Sequence, residues 1–280
     1  MSALRYDINQ IVDFLNSLGS QEVNLKHYDF IDPLFWVTLK ALADGPKPGL
    51  TVKIDKNSSA YGYYLYLFER GRRKSPTVVP IRKVEERNSI ENIVKEILQI
   101  ANLRFCDYDD EFAFSYILME LINNSVDHGQ SPAIACAQVF PNADEIEISV
   151  ADHGLGFLQT IKKKYNDVSS YEEAIKRAIQ KGITGYTITM YGSVTKHVGM
   201  GLYVISKMVR EVVGDMIIVS GDAVFSLRDN LVRKIEIPWQ GSIVSVRFNI
   251  SRFERKILDY GFSFWLKLTL EEEEGEEDMF

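Results

Sequence analysis

The chain is poor in several residue types whose absence narrows its possibilities. Two cysteines in 280 residues, Cys106 and Cys136, are too few for a disulfide framework. The four histidines show no paired metal spacing, so zinc is not indicated. No apolar run reaches the roughly 18 residues of a membrane span, and residues 1–9 lack secretory character. A cytoplasmic protein without membrane contact is the expectation. An excess of one charge sign is also missing from most of the chain. The formal net charge is −7, but seven of the 39 acidic residues are Glu271 to Glu274, Glu276, Glu277 and Asp278, and the others balance the 32 basic residues. That acidic run predicts a disordered tail. The short cluster Arg70, Arg72, Arg73 and Lys74 reads as a surface hairpin tip, so nucleic acid is not indicated as a partner. What the chain does have is a 46% hydrophobic content, enough for one large core or two modest ones.

Three short segments then stand out in order. In Glu120-Leu121-Ile122-Asn123-Asn124-Ser125-Val126-Asp127, about 100° per residue brings Glu120, Asn124 and Asp127 within an arc of roughly 60°. Phe114, Ile117, Leu118, Leu121 and Ile122 form an apolar stripe beside them, and Asp107, Asp109 and Asp110 supply acid where the helix starts. The pattern predicts a helix from about residue 110 to 127. A carboxylate four residues before a carboxamide suits metal and phosphate work, because an amide oxygen is a hard ligand for Mg2+ and Glu can take a proton from water. By itself such a stripe is also the ordinary solvated face of a helix.

The second segment, Asp152-His153-Gly154-Leu155-Gly156-Phe157, follows Glu145-Ile146-Glu147-Ile148-Ser149-Val150, whose strict alternation predicts a half-buried strand. Asp152 therefore falls at a strand end, where a fixed carboxylate can accept a hydrogen bond from an exocyclic amine, and the glycines let a flat ligand approach. The third, Gly199-Met200-Gly201-Leu202, opens a helical pattern that Gly214 can stop. Glycines at a helix N-terminus favour phosphate through free N–H groups and the helix dipole. Together the three describe a nucleotide pocket.

With Gly241-Ser242-Ile243 leading into a further alternating strand, this succession resembles the GHKL superfamily of Bergerat-fold ATPases, which includes the ATPase component of gyrase, MutL, histidine kinases and anti-sigma-factor kinases. The likeness covers roughly residues 100 to 250. It implies that Glu120 polarises the attacking water, that Asn124 binds Mg2+ with Asp127 nearby, and that Asp152, with Gly154 and Gly156, receives the adenine amino group. It further implies that Gly199, Gly201 and Leu202 close over the phosphates and that Ser242 stands near the adenine. Many sensor kinases have a further glycine where this chain has His197, so Lys196 or His197 would supply that contact. The region between Phe157 and Val198 corresponds to the family's lid, and Tyr171 to Lys181 within it predicts a short amphipathic helix.

Upstream, helix and strand patterns alternate. The stretch from Val23 to Asp32, a strand through Phe30-Ile31-Asp32 followed by a helix from Pro33, resembles the STAS domains of anti-sigma-factor antagonists, with Pro33 where those carry a phosphorylatable serine. The expected fold class is α/β: a small STAS-like domain over 1–88 and an ATP-binding Bergerat sandwich over 89–255, built as a mixed sheet covered by helices on one face. A C-terminal extension over 256–280 would follow. The expected cofactors are ATP and Mg2+, and the expected partners a protein or a second copy of the chain. Three activities stay open: an ATP hydrolase whose nucleotide state controls shape or association, a serine/threonine protein kinase of the anti-sigma type, and a nucleotide-gated binding module with little turnover.

Overall fold

In a computed structural model, the described residues are 3–68, 76–85, 89–101, 108–128, 130–181, 188–190, 193–195 and 201–260. The chain runs through β1 (Ala3–Leu4), α1 (Ile8–Ser17), β2 (Glu22–Asn24), β3 (Phe30–Ile31), α2 (Pro33–Asp44), β4 (Thr51–Lys53), α3 (Ser59–Phe68) and β5 (Val78–Val84). Then come α4 (Ile90–Ala101), α5 (Tyr108–Asn123), a π-turn (Asn124–His128), β6 (Ala133–Phe140), β7 (Glu145–Ala151), α6 (Gly156–Lys162) and α7 (Tyr171–Ala178). The chain continues through β8 (Ile188–Met190), β9 (Ser193–Thr195), α8 (Gly201–Glu211), β10 (Asp215–Ser226), β11 (Leu231–Asn249) and α9 (Ile250–Tyr260).

The main sheet has the order β10-β11-β7-β6-β5, and every pairing in it is antiparallel. This corrects the expected mixed sheet: β6 to β7 and β10 to β11 are hairpin connections, which force opposite strand directions. The chain is thus an α/β protein built on an antiparallel sheet.

Period-2 alternation sends successive side chains to opposite faces. Ile146, Ile148 and Val150 of β7 and Val244, Val246 and Phe248 of β11 join one core with Phe114, Ile117, Leu118 and Leu121 of α5 and Leu202 and Ile205 of α8. Phe114 packs edge-on to Phe248 and Phe253, at centroid distances of 6.1 and 5.5 Å. The opposite face carries Ile134, Cys136, Ala151, Ile217, Val219 and Ile243, which share a second core with Ile11, Phe14, Leu34, Phe35 and Trp36 of α1 and α2. Helices therefore cover both faces of the sheet, not one. The N-terminal segment supplies that second layer and, through β5, an edge strand of the sheet itself, while its own strands form two short parallel pairs, β1 with β3 and β2 with β4.

The second layer also explains why β7 is not half-buried: Glu147 and Ser149 are 0% exposed. Glu147 accepts a hydrogen bond from the Leu34 N–H at 2.9 Å and so caps α2, while Asp32 at the N-cap position makes no side-chain cap bond. Asp32 is committed elsewhere, accepting from the Tyr6 N–H at 2.7 Å and from Arg247 at 3.0 Å. The Tyr6 hydroxyl donates to the Ser245 carbonyl at 2.6 Å and accepts from the Ile217 N–H at 3.1 Å. A polar network thus sits between sheet and helices. Burial pushes both the Asp32 and the Glu147 carboxyl above the ordinary carboxylate range, with Arg247 drawing them partly back.

Candidate functional site

The α5 stripe is where the periodicity placed it, with Phe114, Ile117, Leu118, Leu121 and Ile122 all buried. The regular helix ends at Asn123, and Asn124 to His128 continue as a π-turn. Such turns widen the helix by one residue and re-aim the side chains that follow. Asn124 Nδ2 and Asn123 Oδ1 are buried with no hydrogen-bond partner, which leaves the two amides with capacity for something further.

Asp152 follows β7 directly and is 1% exposed. Its Oδ2 accepts from the Ser242 hydroxyl at 2.6 Å and its Oδ1 from the Gly154 N–H at 2.8 Å. Its own N–H donates to the Ser242 carbonyl at 2.8 Å, and its carbonyl accepts from Trp239 Nε1 at 3.1 Å. Burial raises the carboxyl's pKa, opposed by hydrogen bonds from Ser242, Gly154 and the Ser125 side chain. A carboxylate has about four lone-pair positions. The Ser242 hydroxyl and the Gly154 N–H take two of them, and the Ser125 side chain and the Ser242 backbone also favour the charged form.

Ser125 was not among the residues the sequence singled out. At about 100° per residue it lies roughly 140° from Glu120, off the polar stripe. Ser125, 2% exposed, lies on that other face, where its side chain favours the charged form of Asp152. Residue order alone carries no signal for it.

Two glycines set the backbone around Asp152. Gly241 has φ +90°, and a Cβ on it would stand 2.3 Å from the Asp152 carbonyl oxygen and 2.7 Å from Oδ1. Gly156, with φ +70°, would put a Cβ 2.7 Å from the Gly241 carbonyl and 2.8 Å from Ser220 Oγ. Ser220 in turn donates to that carbonyl at 2.8 Å and accepts from the Phe157 N–H at 3.1 Å. The Asp152 loop and the turn at Gly241 are thus interlocked, with Ser220 a further contributor that no sequence pattern marked.

Glu120 meets the start of α8, where a Cβ on Gly201 would fall 2.0 Å from Glu120 Oε2. Only glycine lets this carboxylate lie against that turn. Leu202, next in the chain, is buried in the core at 2% exposure, not turned to a ligand. The structure therefore brings Asp152, Gly154, Gly156 and Ser242 together, joins them to the Asn124 turn through Ser125, and sets Glu120 against Gly201. Lys196, Gly199 and the Asp127 side chain lie outside the described residues, as do the segment 182–187, the basic cluster and the acidic tail. The expected lid helix is α7, held by a capping box between Ser170 and Glu173.

Among the described residues no group of three or more His, Cys, Asp or Glu is arranged to hold a metal ion, and no helix is long and apolar enough to cross a membrane. No protein-family model, curated protein or solved structure matches the chain.

Proposed function

We propose that the chain binds Mg2+-ATP at this site and transfers the γ-phosphate to water, with the nucleotide state controlling its conformation or its association with a protein partner or a second copy. The observation that carries the reading is the buried Asp152 carboxylate directly after β7, oriented by the Ser242 hydroxyl and the Gly154 N–H. In this reading β6, β7, β10 and β11, with α4, α5, α8 and α9 on one face, form a Bergerat-type sandwich over about 89–255, to which the STAS-like N-terminal segment adds β5 as an edge strand.

The Asp152 carboxylate takes the adenine amino group, while Ser242 and Gly154 keep it oriented. Mg2+ supplies charge neutralisation on the phosphates and needs few protein oxygens, since it keeps phosphate and water ligands. Asn124 would hold it through its side-chain oxygen, and the unpaired Asn123 Oδ1 is a further hard oxygen of the kind Mg2+ takes, whereas the unpaired Asn124 Nδ2 is a donor suited to a phosphate oxygen. Glu120 takes the proton of the attacking water as the water oxygen bonds to the γ-phosphorus and the bond to the leaving ADP oxygen breaks. Gly201, and in the family pattern Gly199 and Lys196, serve the phosphates.

The strand β3 running into α2 favours a second reading, a serine/threonine kinase of the anti-sigma type, in which Glu120 would take the proton of a serine hydroxyl. Incubating wild type and Glu120→Ala with γ-labelled ATP and Mg2+, and following free phosphate and labelled protein together, separates these. The hydrolase reading expects phosphate release that falls by about 100- to 10,000-fold in the variant while ATP binding persists. Unchanged release from a folded Glu120→Ala protein overturns it. Label on protein selects the kinase, and binding with neither signal selects a nucleotide-gated module.

A further inference from the structure

The N-terminal layer touches the candidate site at one side chain. His153, between Asp152 and Gly154, lies on Trp239 with ring centroids 4.4 Å apart and planes inclined by 31°. Its Nδ1 is 3.1 Å from the Gln240 carbonyl, and Gln240 Nε2 donates back to the His153 carbonyl at 3.3 Å. Trp239 meanwhile holds the Asp152 carbonyl. From the other direction, the residue ending α2 abuts the imidazole: a Cβ on Gly45 would stand 2.9 Å from His153 Cδ2 and 3.1 Å from the Ala41 carbonyl.

The opposite end of α2 is fixed on the same strand that leads into this loop, through the Leu34 N–H on Glu147. The lengths agree. Six residues of extended chain from Glu147 to His153 span about 20 Å, and the twelve residues of α2 rise about 18 Å. α2 packs along β6 and β7, so it forms a strut with one end on the buried carboxylate and the other on the histidine.

We infer that His153 is a positioning residue, through which α2 of the N-terminal segment holds the Asp152 loop in its ligand-accepting geometry. The inference rests on the nucleotide reading of that loop. Asp152 makes its contacts through its own backbone, Gly154 and Ser242, and the backbone between Asp152 and Gly154 is that of His153. A shift of the imidazole therefore moves the Gly154 N–H that aligns Oδ1. With Trp239 beneath it, the ring has little room to yield.

A double-mutant cycle tests this, with ATP affinity of the full chain measured by calorimetry and folding followed by circular dichroism. His153→Ala and Gly45→Ala are each expected to weaken ATP binding by roughly tenfold, the scale of coupling between residues in contact. With Mg2+ and turnover, KM should rise while kcat stays within about twofold, because the perturbed group binds rather than reacts. Gly45→Ala added to His153→Ala should cause no further loss of ATP affinity, since the added methyl then meets no ring and its 3.1 Å approach to the Ala41 carbonyl is a stability cost common to both backgrounds. Should Gly45→Ala fail to fold, the double variant should fold again. ATP affinity equal to wild type in both single variants, additive losses, or a Gly45→Ala folding defect that His153→Ala does not relieve each overturn the positioning role. Absence of ATP binding by wild type overturns the nucleotide reading itself, and the positioning role with it.

Discussion

Replacing Arg247 by methionine should destabilise the protein strongly at alkaline pH and weakly at acid pH. The Arg247 side chain is 15% exposed and approaches Asp32 at 3.0 Å and Glu147 at 3.7 Å, both acids being 0% exposed. Removing the partner of buried carboxylates costs about 3–5 kcal/mol. The third pair, with Glu145, is one-third exposed and adds less than about 1 kcal/mol. Methionine retains an apolar chain over the Phe140 ring, which the guanidinium carbon now covers at 4.3 Å, so lost packing is a minor part.

The sign with pH follows from burial. Both carboxyls have folded pKa values raised above the ordinary 3.8 and 4.5. Between the unfolded and folded values the folded state holds protons that the unfolded state has lost, so stability falls with rising pH. The contribution is whole below the unfolded values and is lost as pH climbs through the folded ones. Without Arg247 the folded values rise further, and the loss extends over a wider span. The difference from wild type should therefore be about 3–5 kcal/mol at pH 9 and shrink below about 2 kcal/mol at pH 5, where Glu147, pushed up to about 8, is neutral. Urea unfolding followed by tryptophan fluorescence at pH 5, 7 and 9 measures it. A penalty that is constant, or that grows toward acid, refutes the reasoning. Glu147→Gln, which keeps an acceptor for the Leu34 N–H without the charge, should match or exceed wild-type stability at pH 9 in the same assay.

Asp152→Asn replaces a charged acceptor by an amide that offers an N–H to the donors of Gly154 or Ser242, and ATP affinity should fall by roughly ten- to a hundredfold in calorimetry, with an unchanged Kd refuting the acceptor role. Gly241→Ala combines a φ of +90° with a Cβ 2.3 Å from a backbone oxygen. It should cost more than about 3 kcal/mol in urea unfolding, and a loss under about 1 kcal/mol would show that the loop gives way cheaply.

What could be read from the sequence was whatever repeats with a period. The α5 stripe, the start of α8 at Gly201 and the alternation through β7 and β11 all lie where periodicity put them. Gly214 ends the last turn of α8 by donating to the Val209 carbonyl at 2.8 Å. Partners distant in sequence were not readable in this way. An alternating strand shows that its two faces differ, but not what covers the polar one, and so β7 read as half-solvated when α1 and α2 bury it. Asp152 was legible as a carboxylate at a strand end, and Ser242 only through a family likeness. Ser125 was hidden because the helical wheel puts it off the polar stripe and cannot show that Asp152, distant in sequence, lies near that face. The hydrogen bond that caps α2 was hidden for a related reason: its acceptor, Glu147, is 113 residues from the donor.

The charges between the sheet and α2 are an expensive way to join two layers, since buried ion clusters often stabilise no more than apolar residues of the same size. What they add is position. A helix resting on apolar side chains alone can slip by one turn, about 5.4 Å, and recover much of its burial elsewhere. Here a slip of that size would strand the Leu34 N–H, leave Asp32 without Arg247 and break it from the Tyr6 N–H. The register matters because the far end of α2 meets His153 at a single glycine. If α2 could slide freely, a methyl on Gly45 would be accommodated and would leave the Asp152 loop undisturbed. A large Gly45→Ala effect that vanishes with His153→Ala therefore measures more than one contact, because it requires that the buried carboxylates at the other end of the helix hold it in place.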